Sequence, residues 1–310
     1  VMRFPLLLKA GTEVEARSSV VDRCRKSMLA FGEEIKQQLP DAQVSMVTDS
    51  ADMSWMSYDS PDEMLLSMET QVPLTVSTDA FMARLFKHPS KVANAERLFT
   101  ELHTIASDMQ NIEEPRLSLF DIFTRKEMEA IYRQNCAKMW HQNGYDAANH
   151  GIPAQSAAAL WQNIVTKADS ALSAGTPIAN LRFGHDTALY RLLSLLGIDL
   201  GSSDGINGPL DEIVPMAANL QMLFCKNNDG NVIVDLWLNE KPLSLPSLPT
   251  VVTTNGQPWY SWNEMKTHYQ HFIDRQLWTE RTRAINTLVG TDYAVTPSAG
   301  RYGKGSEEHG

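Results

Sequence analysis

The spacing of apolar positions changes several times along the 310 residues, and each change predicts an element. The stretch "VEARS" (14–18) is short and extended, and "VDRCRKSMLAFGEEIKQQLP" follows with Cys24, Met28, Phe31 and Ile35 on one helical stripe that Pro40 ends. Ser19-x-x-Asp22 resembles a capping box, with Asp in place of the usual Glu. A second strand is expected at "QVSMVT" (43–48), which completes a strand-helix-strand unit and implies a parallel sheet. From about Asp62 to Ala174 helical spacing dominates, in "AERLFTELHTIASDM", "TRKEMEAIYRQNCAKMWHQ" and "SAAALWQNIVTKADSALS". Thr124-x-x-Glu127 is a capping box for the middle one, and Pro89, Pro115 and Asn143-Gly144 mark loops.

The sheet resumes at Ile178. Ala179, Leu181 and Phe183 alternate with Asn180 and Arg182, the period of a strand with one buried face. Behind it Leu189, Leu192, Leu193 and Leu196 recur at helical spacing, and Gly197 can close the helix. Further on, "NLQMLFCK" and "NVIVDLWLNE" flank Asn227-Asn228-Asp229-Gly230, a hairpin signal. The tail "PSAGRYGKGSEEHG" is rich in Gly and Ser, lacks an apolar period and predicts disorder. The expected organisation is an α/β domain from 1–61 and 175–295, a mostly helical insertion at 62–174, and a tail at 296–310.

Composition narrows the functional classes. A formal net charge of -10 argues against wholesale nucleic-acid binding but leaves room for a small basic pocket. The three cysteines, Cys24, Cys136 and Cys225, match no zinc spacing, and Cys24 reads as core. No apolar run of 18 residues appears, so no membrane span is expected. The chain opens on Val1 with no signal peptide visible, which reads as the interior of a gene product.

The candidate chemistry sits at two strand-to-helix seams. His185 and Asp186 fall just beyond the carboxyl end of one strand, where ligands bind in open α/β sheets and where a helix N-terminus favours anions. The same pair also fits a plainer role: Asp186 or Thr187 caps the helix, and His185 is a satisfied turn residue. Arg17, Arg23 and Arg25 cluster at the other seam. Arg25 and Lys26 read as a solvated helix face. Arg23, in the first turn, can reach over the carboxyl edge of the sheet, and a planar guanidinium binds phosphate through two parallel hydrogen bonds.

These segments resemble the histidine acid phosphatases. "DRCRKSMLAF" is similar to that family's phosphate-arginine segment and "LRFGHD" to its His-Asp pair. With "VEARSSVVDRCRKSM", "SLFDIFTRKE", "ANLRFGHDTALYRLLSLLGI", "IVPMAANLQMLF" and "VDLWLNE", the resemblance extends to the multiple inositol-polyphosphate phosphatase and phytase-like branch, from Met2 to about Gln276. It implies an α/β fold of the phosphoglycerate-mutase type, with a mainly parallel sheet flanked by helices. It implies hydrolysis of phosphomonoesters, inositol polyphosphates such as phytate, through a phosphohistidine. Asp186 would be the proton donor, and His185 and Arg23 ligands of the phosphoryl group. Arg17 is a weaker candidate that can instead serve structure. No cofactor, metal or nucleic-acid partner is implied, and the setting would be periplasmic or extracellular.

The sequence departs from the family at the nucleophile, the histidine of an Arg-His-Gly-x-Arg motif. Of eight histidines only His150 and His309 precede a glycine, and neither follows an arginine. In the family that motif comes before the segment matching "VEARSS". The expectation is that an N-terminal portion with the first strand is missing, and that this chain alone is inactive. The alternative is a pseudo-phosphatase that holds phosphate esters without turning them over. Arg84, Lys87, Arg116, Arg125 and Lys126 are available for further phosphates, but the sequence places none of them at a pocket.

Overall fold

In the computed structural model of the chain, the first strand-helix-strand unit forms as its spacing predicts: β1 (Glu13–Ser18), α1 (Asp22–Gln38) and β2 (Gln43–Thr48). The structure describes residues 12–56, 72–112, 118–144, 149, 151–201 and 210–275. After β2 come the helices α2 (Met53–Met56), α3 (Asp79–Leu85), α4 (Ala95–Asp108), α5 (Arg125–Asn143), α6 (Ile152–Ser156) and α7 (Ala158–Ala174). Then follow β3 (Ala179–Phe183), α8 (Asp186–Leu195) and α9 (Leu210–Ile213). The last elements are β4 (Leu220–Lys226), β5 (Val232–Leu238), β6 (Lys241–Pro242), β7 (Val252–Thr254), β8 (Gln257–Ser261) and α10 (Trp262–Arg275).

The first three strands make a parallel sheet in the order β2-β1-β3. Ser18 lies opposite both Thr48 and Phe183, so the carboxyl ends of the strands are level. The Ser19 N–H donates to the Phe183 carbonyl at 3.0 Å and carries the β1·β3 ladder one residue further. Val14, Ala16 and Ser18 are buried. Helix α1 buries Cys24, Met28, Gly32 and Ile35, whereas Phe31 is 46% exposed and rests its ring 5.7 Å from that of Phe183. The expected stripe is thus displaced by one residue at Phe31. The reason is a close approach: a Cβ on Gly32 would lie 2.3 Å from Met46 Sδ, so the glycine, and not the phenylalanine, faces β2.

A second, five-stranded sheet runs β4-β5-β8-β7, with β6 beside β5. It grows from the expected hairpin. The Asn227 side chain accepts the N–H groups of Asp229 and Asn231, and Gly230 adopts the positive φ (79°) that the turn requires. The main core is aromatic. Trp161 packs edge-on to Trp262 and Tyr269 at 5.8 and 5.3 Å, and Phe224 meets Trp262 at 5.0 Å.

The chain divides into two compact units, one of residues 1–64, 143–199 and 214–310 and the other of residues 65–142 and 200–213. Helices α6 and α7 belong to the first unit, where Trp161 joins its core. The insertion boundary expected at 174 therefore does not coincide with a boundary in packing. The second unit is built on the rings of Phe81, Phe99 and Phe123, with centroids 4.8–5.6 Å apart. Its expected capping box forms. Glu127 Oε2 accepts the Thr124 N–H at 2.7 Å, and Thr124 Oγ1 accepts the Glu127 N–H at 3.3 Å. Arg84 donates to the same carboxylate at 2.6 Å and Arg125 is paired with Glu129, so each of these two arginines has a carboxylate within its own unit. Arg116, His150, His309 and the tail at 296–310 lie outside the described residues.

Candidate functional site

Because β1 and β3 end level, the turns that leave them run side by side. Gly184 follows β3, and a Cβ there would sit 3.3 Å from Met56 Cγ and 3.5 Å from the Met56 carbonyl oxygen. His185 is the N-cap of α8, with extended backbone (φ −117°, ψ 153°), and no side chain caps the helix from that position. Its ring meets the first seam across 162 residues of sequence: Nδ1 lies 3.2 Å from Arg23 Nη2. Its Nε2 lies 3.1 Å from Ser19 Oγ. Cys24 Sγ is 4.0 Å from the same nitrogen and donates its hydrogen to the Gly184 carbonyl at 3.2 Å. The structure thus brings Arg23 and His185 together, as expected from their places at the two seams.

Asp186 is exposed at the first position of α8, beside His185. Its Oδ1 accepts the Thr187 N–H at 2.8 Å, so the carboxylate does satisfy one first-turn donor while His185 holds the cap position. The local field favours an anion: the guanidinium of Arg23 contacts the imidazole, and His185 is the N-cap of a ten-residue helix, whose N-terminus carries partial positive charge.

Arg17 does not join them. Strand alternation turns its side chain to the other face of the sheet, in register with Arg182 on β3. There its Nε donates to Glu15 and its Nη1 to Asp52 at 2.8 Å. Lys167 on α7 also donates to Glu15, at 2.8 and 3.0 Å. Arg182 donates twice to Asn163 Oδ1 and stands 5.7 Å over the ring of Trp55. A face that apolar residues would normally fill is therefore a charged layer. Hydrogen bonds donated to Glu15 and Asp52 raise the Arg17 pKa, whereas burial pushes Arg182 down to about 10.

Burial acts to raise the Glu15 carboxyl, but the hydrogen bonds from Arg17 and Lys167 outweigh it and hold the group below the usual carboxylate range. A folded value below the unfolded one means that Glu15 stabilises the fold fully above about pH 4.3, and that this contribution is lost as the pH falls through the folded value. Glu15→Gln is expected to cost about 1–2 kcal/mol near neutral pH and to flatten the acid limb of the stability curve. Urea midpoints of both proteins between about pH 7 and about pH 3 test this; parallel curves would contradict it.

Ser19 and Cys24 are the residues at the seam that sequence reasoning assigned elsewhere, to a helix cap and to the core. Cys24 is buried, as expected, but it also lies against the His185 turn. The expected Ser19-x-x-Asp22 box does not form: α1 is capped by Val21 without a side-chain bond, and Asp22 pairs with Arg25 and Lys26 on the surface. The signal was present in one respect only, since Ser19 directly follows a strand that pairs with the His185 strand.

No family model matches the chain, and no curated protein matches it by sequence. Solved structures do share its architecture, an α/β fold. The phytase from D. castellii superposes with a TM-score of 0.61 at 13% identity, over 89% of this chain and 61% of the phytase. The Bifidobacterium longum multiple inositol polyphosphate phosphatase, solved with inositol hexasulfate, gives a TM-score of 0.62 at 15% identity, over 84% of this chain and 73% of that one. The same enzyme solved with phosphate gives 0.59 at 15% identity, over 85% and 74%. The chain therefore spans less than two thirds of the phytase's length and about three quarters of the bacterial enzyme's.

Proposed function

We propose that the seam between β1 and β3 is the phosphoryl-binding and leaving-group side of a histidine-type phosphomonoesterase acting on inositol polyphosphates such as phytate. The observation that carries this reading is the 3.2 Å contact between Arg23 and His185, at the level carboxyl ends of two parallel strands and beside the N-terminus of α8. Arg23 and His185 hold equatorial phosphoryl oxygens, where charge is spread in the transition state. Asp186, exposed next to them, protonates the leaving alkoxide, which is otherwise a poor leaving group. Arg17 is left out of the phosphate set, because Glu15 and Asp52 hold its guanidinium. Among the described residues no helix is long and apolar enough to cross a membrane. A periplasmic or extracellular setting is part of the proposal.

The 310 residues contain no Arg-His-Gly-x-Arg segment. That observation keeps a second reading in view, a binding module for phosphate esters without turnover. Both readings predict that the chain binds phosphate and inositol hexasulfate. Calorimetric titration of these anions tests the shared part. Asp186→Asn is expected to keep or slightly raise the affinity, because it removes a negative charge and no phosphoryl ligand. Absence of binding in the wild-type chain, or its loss in Asp186→Asn, would overturn the assignment.

A further inference from the structure

The serine that the sequence offers as a helix cap serves the histidine instead. Ser19 is fully buried, and its backbone N–H is tied to the Phe183 carbonyl, so its hydroxyl sits on the end of the sheet ladder and not on a free loop. That hydroxyl is 3.1 Å from His185 Nε2, and Arg23 Nη2 is 3.2 Å from Nδ1 at the other side of the ring. A guanidinium has only donors, so Nδ1 accepts, the imidazole is neutral and its proton is on Nε2. The His185 ring is partly buried, and an N–H on its inner side needs an acceptor. Ser19 Oγ is that acceptor; Cys24 Sγ is farther away, at 4.0 Å, and its own hydrogen goes to Gly184.

We propose that Ser19 is a positioning residue of this site, one that holds the His185 ring by Nε2 with Nδ1 turned to Arg23, whose donor-only guanidinium sets the tautomer. When an anion takes the place of Arg23 at Nδ1, that nitrogen must carry a proton, drawn from solvent. Ser19 holds the ring in either case, because a hydroxyl can accept from Nε2–H or donate to a bare Nε2. The functional consequence rests on the phosphoryl reading above, whereas the tautomer does not.

The test uses the full chain labelled with 15N in histidine, and NMR spectra without ligand at neutral pH. The His185 signals are assigned by their loss in His185→Gln. The wild-type ring is expected as the Nε2–H tautomer. Ser19→Ala removes the anchor at Nε2, so it should displace the His185 ring 15N signals and bind inorganic phosphate about fivefold more weakly, the loss of one net hydrogen bond. Ser19→Thr, which keeps the hydroxyl, should restore the wild-type spectrum. An Nδ1–H tautomer in the wild type, or unchanged His185 signals in Ser19→Ala, would overturn the proposal. If the wild-type chain bound no phosphate, the phosphoryl reading would fall, and the ligand-free spectra would still decide the role of Ser19.

Discussion

Arg23→Ala is expected to lower phosphate affinity about a hundredfold. A charge-assisted hydrogen bond is worth about 1.5–3 kcal/mol, and a factor of ten in affinity corresponds to about 1.4 kcal/mol. Losing both arms of a bidentate guanidinium, with its full charge at the helix N-terminus, therefore removes about two decades. Arg25 provides the control. It lies two residues on, carries the same charge, and pairs with Asp22 on the exposed face of α1. Exposed pairs of that kind contribute little, so Arg25→Ala should change the affinity by less than about threefold. Calorimetry with inorganic phosphate at fixed salt distinguishes the two. Equal losses in both variants would mean that only the general charge of the α1 surface matters, and the Arg23–His185 pair would lose its assigned role.

The chain by itself is expected to release no phosphate from an aryl phosphate or from phytate above the uncatalysed rate. Enzymes raise such rates by roughly 10⁶-fold or more, so the contrast with a competent phosphatase is all-or-none. The reason is chemical. Arg23 and the α8 N-terminus can neutralise phosphoryl charge, and Asp186 can donate a proton, but none of them attacks phosphorus. His185 has Nδ1 on Arg23 and Nε2 on Ser19, an arrangement for binding and not for in-line displacement. Phosphate release should be followed at acidic and neutral pH with the purified chain. Robust release that Arg23→Ala or Asp186→Asn abolishes would show that a nucleophile does reside in these residues.

Much of the local structure was legible. β2 spans the residues its alternation predicts, and β1, β3, α4 and α8 lie within a residue or two of theirs. Gly197 closes α8 with positive φ, as its position suggested. The hairpin at 227–230 turns where its Asn and Gly residues require. These features depend on residues a few positions apart, so periodicity and turn chemistry report them directly. The pairing of Arg23 with His185 was legible only through its parts: two seams, each at the end of a strand. Their meeting needed β1 and β3 to be neighbours in register, which no local pattern encodes.

The separation of Arg17 from Arg23 was decided by the sheet. Both are arginines at the same seam, but alternation sends Arg17 to the charged face, where Asp52, 35 residues away, takes its guanidinium. The sharpest contrast lies in two similar four-residue patterns. Thr124-x-x-Glu127 and Ser19-x-x-Asp22 both read as capping boxes. The first forms, because Glu127 can reach back to the Thr124 N–H while the threonine hydroxyl accepts the Glu127 N–H. The second does not, because Ser19 is held one step along the β1·β3 ladder and its hydroxyl meets an imidazole 166 residues away. Sequence alone determined which segments become strands and helices, since those choices rest on nearest-neighbour sterics and spacing. Tertiary structure decided which polar side chains are left to build a site, since a buried hydroxyl or guanidinium goes to whatever partner the packing brings within about 3 Å.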